Sequence, residues 1–216
     1  MIDWETIFRE LNLLKESSEL PSVSLIGEES NSPYKILVST IISLRTRDYV
    51  TLNSSRRLFE MAPDFQTLDI MTEEEIASLI YPCGFYKVKS ANLKKIARIL
   101  LNQYEGKVPS TPEALLGLPG VGLKTANLTL SLGFAIPAVC VDTHVHRIAN
   151  RMGWIDTKKP DDSVRALEEV LPRESWIAIN ELLVLYGQKI CTPQSPRCSE
   201  CSLSRYCQKR GVSKFR

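Results

Sequence analysis

Hydrophobic positions in this chain recur at helical spacing. Trp4, Ile7, Phe8, Leu11 and Leu14 form one stripe at intervals of three and four, which predicts an amphipathic helix. Residues 16–32 are largely polar and broken by proline, so they read as a connector. Pro33 suits the first position of a helix, and Ile36, Leu37, Ile41 and Leu44 then recur on one face. A further helix is expected over Asp48–Met61, with Asp48 as its acidic cap. Another should cover Thr72–Ile80, followed by a break at Tyr81-Pro82-Cys83-Gly84 and a long helix over Lys87–Tyr104. A short helix starts near Thr111, and later ones cover 143–152, 161–171 and 174–190. Residues 135–141 (AIPAVCV) read as a buried connector rather than a strand. No strand, heptad pattern or repeat emerges, so the fold class is all-α.

Composition narrows the class. The 216 residues carry 44% hydrophobic and 24% charged side chains, ordinary for a soluble globular protein. No stretch approaches the roughly 20 apolar residues that span a bilayer. The N-terminus is acidic and lacks a basic signal-peptide start, so a cytoplasmic protein with no membrane partner is expected. The net charge of +2 is unevenly placed. Residues 1–30 hold seven acidic and two basic side chains, whereas residues 186–216 hold seven basic and one acidic. A basic C-terminal segment suits a polyanion, or simply a solvated tail.

Two short stretches carry candidate chemistry. In LPGVGLKTANLTL (118–130), Pro119, Gly120, Val121 and Gly122 lead directly into a helix with Lys124 in its first turn. Glycines let the backbone approach another surface closely. The unpaired N–H groups of a helix N-terminus form an anion site, and a phosphate fits it. An amine beside that site is placed to attack a sugar carbon. Eighteen residues on from Lys124, VDTHVHRIANRMGW (141–154) carries Asp142. It is a good helix cap and a candidate charge stabiliser. His144, Arg147 and Arg151 share one side of that helix, and His146 reads as structural.

Four of the six cysteines crowd the C-terminus as Cys191-x6-Cys198-x2-Cys201-x5-Cys207. Four thiolates fit either a zinc site or a cubane iron–sulfur cluster, and the spacing alone leaves both open. Cys83 and Cys140 read as buried apolar thiols.

LPGVGLKTA and VDTHVHR together resemble the hairpin and catalytic aspartate of the helix-hairpin-helix DNA glycosylases, most closely the endonuclease III family. The resemblance implies a two-lobed fold. A helical barrel lobe would span 28–141, and a cluster lobe would combine 1–27 with 142–216. It implies Lys124 and Asp142 as catalytic residues and a [4Fe–4S] cluster on the four cysteines. It also implies a nucleotide flipped from the duplex into a cleft. STIISLRTRD (39–48) resembles the family's wedge loop, with Arg45 where many members have glutamine, Asp48 lining the pocket and Ser43 a turn before it. Gly120, Val121, Gly122, His144, Arg147 and Arg197 complete the expected DNA contacts. Two departures stand out: Leu123 replaces a common basic residue, and TPQSPR offers only Arg197 to the phosphates.

The implied activity is removal of oxidised pyrimidines with strand cleavage at abasic sites, through a lysine Schiff base. The partner is double-stranded DNA containing damaged bases or abasic sites, bound by a monomer at the nucleoid. Lys124 and the short C-terminus argue against an adenine-specific mismatch enzyme. A glycosylase for thymine or uracil opposite guanine, a non-catalytic hairpin module and a zinc adaptor are the rival readings.

Overall fold

The computed structural model describes residues 2–216, and every regular element among them is helical. The α-helices are α1 (Trp4–Glu16), α2 (Ser22–Ser30), α3 (Pro33–Ser43), α4 (Asp48–Met61), α5 (Phe65–Ile70), α6 (Glu73–Ile80), α7 (Tyr86–Gln103), α8 (Pro112–Leu116), α9 (Leu123–Phe134), α10 (Thr143–Met152), α11 (Pro160–Val170) and α12 (Ile179–Lys189). No helix among the described residues is long and apolar enough to cross a membrane. The chain divides into two compact units.

One unit is continuous, Ser22–Ile136. Its centre is α3, which packs against α2, α4, α7 and α9. Pro33 occupies the first turn, and the Ser32 hydroxyl accepts from Lys35 N at 3.4 Å. Apolar residues lie all round α3: Ile36, Leu37, Val38 and Ile42 have no exposed surface. A helix apolar on every side belongs inside. Ser39 and Thr40 are buried too, because their hydroxyls donate back to the Ile36 carbonyl. The one-faced stripe expected for this helix is therefore too narrow. At the start of α6, Thr72 and Glu75 form a reciprocal capping box, with bonds of 3.2 and 2.7 Å.

The polar stretch expected as a connector contains α2. Val23 and Ile26 are buried, and so are Ser22 and Ser24. The serines hid the helix, since they lower apolar periodicity without preventing burial. Because α2 packs on α3, α4 and α9, the unit begins at Ser22 rather than 28. It ends at Ile136 rather than 141, because Val139 and Val141 join the other core.

The second unit combines residues 2–21 with Pro137–Arg216. Its core gathers Ile7 and Leu11 of α1, Val145, Ile148 and Met152 of α10, Leu167 of α11 and Leu182, Leu183 and Tyr186 of α12. Trp4 meets Trp154 edge-on at 4.9 Å. The helix expected from residue 174 starts at Ile179, after a single 3-10 turn at Arg173–Ser175. Beyond Lys189 the only regular element is another 3-10 turn, Ser204–Tyr206.

Candidate functional site

The hairpin motif lies between α8 and α9. Thr111 caps α8 by accepting from Ala114 N at 3.4 Å, with Pro112 in the first turn. Leu115, Leu118 and Val121 are buried and fasten the turn to the core. The two glycines have different reasons. Gly120 has φ +75°, and a Cβ there would collide with the Asn92 amide. Gly122 is extended (φ −105°, ψ −178°), and a Cβ there would meet nothing within 4 Å. The backbone therefore favours glycine at 120 but not at 122. What Gly122 provides is bare backbone at the N-cap of α9, where no side chain caps the first turn. Lys124 follows as the second residue of α9 and is half-buried.

Between the end of α3 and the start of α4 lie Ser43, Arg45 and Asp48; Ser43 is partly buried, and Arg45 and Asp48 are exposed. The Ser43 hydroxyl donates to the Thr40 carbonyl at 2.7 Å. Asp48 does not cap its own helix, whose N-cap is Arg47. Its carboxylate instead accepts from Ser22 N at 3.1 Å and from the Ser22 hydroxyl at 2.7 Å, closing the start of α2. Arg45 is exposed and left-handed (φ +51°), uncommon for a non-glycine residue. Its guanidinium lies 5.5 Å from the centre of the Phe85 ring. Phe85 is itself left-handed (φ +58°) and 60% exposed at the N-cap of α7. An arginine beside an exposed phenylalanine is a cation–π pair that presents flat faces outward. The sequence reading passed over Phe85, although GF before a long helix marked the position.

Asp142 is the N-cap of α10. One oxygen, Oδ1, accepts from His144 N at 2.8 Å and Val145 N at 2.9 Å. Both bonds fall on the same oxygen, so capping fixes the carboxylate and leaves Oδ2 outside the cap. His146 is structural, with Nδ1 2.7 Å from the Ser163 hydroxyl. Arg147, expected at the DNA, turns inward. Its Nε and Nη2 donate to the Cys191 carbonyl at 3.1 and 2.8 Å, and Nη2 also reaches the Gly187 carbonyl. Burial lowers its pKa. His144 lies beside it, with Nδ1 3.2 Å from Arg147 Nη2. Arg197 keeps an exposed side chain, 3.5 Å from Glu200.

Cys191, Cys198, Cys201 and Cys207 line one cavity, together with Arg151 and Tyr186. Arg151 donates to Cys191 Sγ at 3.4 Å, and Lys209 N to Cys207 Sγ at 3.3 Å; the Tyr186 hydroxyl lies 3.1 Å from Cys201 Sγ. Such donors suit thiolates of an iron–sulfur cluster. A single zinc would draw its sulfurs to roughly 4 Å of one another. Among the described residues no three His, Cys, Asp or Glu side chains are grouped to hold a single metal ion. Four sulfurs ringing one cavity fit a cubane, in which each thiolate holds its own iron. Arg151 also grips the carbonyls of Thr192 and Pro193 at 2.7 and 2.8 Å. Cys83 and Cys140 are buried, as expected.

Residues 38–173 match the HhH-GPD superfamily of base excision DNA repair proteins. Residues 191–207 match the iron–sulfur binding domain of endonuclease III. Endonuclease III of Thermotoga maritima is 44% identical over 193 residues, covering 88% of this chain and 91% of that protein. The chloroplastic endonuclease III homolog 2 of Arabidopsis thaliana is 38% identical over 95% of this chain and 57% of its own length. A trapped covalent intermediate of endonuclease III with DNA superposes with a TM-score of 0.83 at 28% identity, covering 97% of both chains.

Proposed function

Because the chain belongs to the endonuclease III family of base excision DNA repair proteins, and so is an oxidised-base DNA glycosylase and AP lyase carrying a [4Fe–4S] cluster, we propose that its chemistry runs through Lys124 and Asp142. The observation that carries this is the place of Lys124. It sits in the first turn of α9, just past an N-cap that no side chain closes. Backbone N–H groups there hold a strand phosphate, and the amine two residues on is then at a fixed offset from a neighbouring sugar.

The substrate is duplex DNA holding an oxidised pyrimidine or an abasic site. The neutral Lys124 amine attacks C1′, and the electron pair of the N-glycosidic bond leaves with the base, which takes up a proton. The sugar ring opens to a Schiff base between Lys124 and C1′. Loss of a C2′ proton then expels the 3′ phosphate by β-elimination, and water releases the enzyme. The Asp142 carboxylate stabilises the positive charge that develops on the sugar. Its cap bonds hold it still for this task. Arg45 fills the stack where the nucleotide leaves, with Phe85 beside it. Gly120, Val121 and Gly122 present backbone to the phosphates, and Arg197 supplies surface charge. The inward bonds of Arg147 give it the role of holding the Cys191 loop instead.

Cys191, Cys198, Cys201 and Cys207 would hold the cluster, which would supply structural cross-linking and no step of the reaction. The protein works as a monomer in the cytoplasm, at the nucleoid. Borohydride reduction in the presence of a thymine-glycol duplex tests the lysine. The wild-type protein becomes covalently attached to DNA, and Lys124→Gln does not. An adduct formed equally well by Lys124→Gln rules the mechanism out.

A further inference from the structure

Lys89 has no part in the chemistry above, yet it is the fourth residue of α7 and only 5% exposed. A buried lysine is costly unless its charge is well bonded. Its Nζ donates to the Ile42 carbonyl at 2.7 Å, the Leu44 carbonyl at 2.6 Å and the Thr46 hydroxyl at 3.0 Å. All three acceptors lie at the end of α3 or in the turn that carries Arg45. Thr46 Oγ1 in turn donates to the Leu44 carbonyl at 3.2 Å and accepts from Gly84 N at 3.0 Å. Gly84 must be glycine, because a Cβ there would run into the Arg45 carbonyl. One ammonium, one hydroxyl and one bare residue thus lock the Arg45 turn to the loop that ends in Phe85. Both of those residues hold left-handed backbones, which persist only when the surroundings enforce them.

We propose that Lys89 is a positioning residue for duplex opening: its ammonium, with three N–H groups for three oxygens, holds the 44–47 turn so that Arg45 and Phe85 enter the base stack as one unit. This rests on the reading of Arg45 as the side chain that fills the stack. A neutral amine has two N–H groups and would turn a lone pair toward an oxygen. Burial pulls the Lys89 pKa down to about 8, with Lys124 of α9 pushing the same way and the Cys83 thiol in the preceding loop opposing. The α3 end and the turn face it with carbonyl and hydroxyl oxygens. The lock is therefore complete below about pH 8 and loosens as pH rises through that value.

The test uses the cluster-loaded protein and two substrates, in single turnover with enzyme in excess. A thymine-glycol duplex requires opening; a single strand carrying an abasic site does not. Lys89→Met should slow the duplex reaction about 10- to 100-fold, while the single-strand reaction stays within about twofold. A 2-aminopurine beside the lesion should lose its opening signal to the same degree. Equal duplex rates for Lys89→Met and wild type overturn the proposal, and so does an equal loss on both substrates. If Lys89→Met does not fold, the wild-type protein decides. Its duplex-to-single-strand ratio should fall as pH rises through about 8, the chemical step common to both substrates cancelling in the ratio; a flat ratio overturns the proposal. Arg45→Ala separates the two ideas. If it is indifferent on the duplex, the stack-filling reading fails. If it is impaired while Lys89→Met is not, only the proposal for Lys89 fails.

Discussion

Helices α9 and α10 begin in opposite ways. At α10 the first-turn amides of His144 and Val145 are closed by the Asp142 carboxylate. At α9 the N-cap is Gly122, and no side chain closes the turn. Both starts present the positive end of a helix dipole. One is filled from within and thereby fixes an anionic side chain. The other, on the function proposed above, receives an anion from outside. On that proposal the same backbone physics places a carboxylate in one case and holds a phosphate in the other.

The largest expected effect comes from the residue beside the open start. Lys124→Gln should slow base release and strand cleavage by on the order of 10³-fold or more, measured in single turnover on a thymine-glycol duplex. The closed start is dissected by two substitutions at one position. Asp142→Asn keeps an accepting oxygen for the two amides but loses the charge. It should cost about 10²- to 10⁴-fold in rate and little stability. Asp142→Ala should lose the same rate and about 1 kcal/mol of stability as well. Full activity in Asp142→Asn would reduce the aspartate to a cap.

The contrast can also be reversed. Gly122→Asp closes the open start with the device used at α10, and the fold has room for it, since a Cβ meets nothing within 4 Å. Stability should rise by about a few tenths of a kcal/mol. DNA affinity, read by fluorescence anisotropy at fixed salt, should fall about tenfold, or about 1.4 kcal/mol. Unchanged affinity would mean that no phosphate sits there. The smallest effect belongs to Gly120→Ala. Strain at φ +75° and contact with Asn92 should cost about 1 kcal/mol in chemical denaturation, with rate lost only through weaker DNA binding.

Much of this was legible in the sequence because it is local. Pro119, Gly120, Gly122 and Lys124 stand together, Asp142 precedes its own helix, and the four cysteines keep their spacing. What escaped depends on partners far apart along the chain. Asp48 looked like a cap and is one, but for a helix that starts 26 residues earlier. Arg147 shared a helical side with His144, and periodicity could not reveal that a carbonyl 44 residues away would take its guanidinium. Lys89 gave no signal, since a lysine on an amphipathic helix reads as a solvated side chain until three oxygens are found around it. Helix α2 escaped for a different reason: buried serines do not look like core.

The bonds from α10 to the cysteine loop have a practical corollary. The helix that carries Asp142 at its first turn also grips Cys191, Thr192 and Pro193 through Arg147 and Arg151. If these cysteines hold the cluster as proposed, an oxidant that strips the iron should free that loop, and the grip on α10 with it. A purified batch that has faded from brown to colourless has therefore lost more than its pigment. Colour becomes an assay of the competent fraction, to be read before any rate constant is divided by a protein concentration.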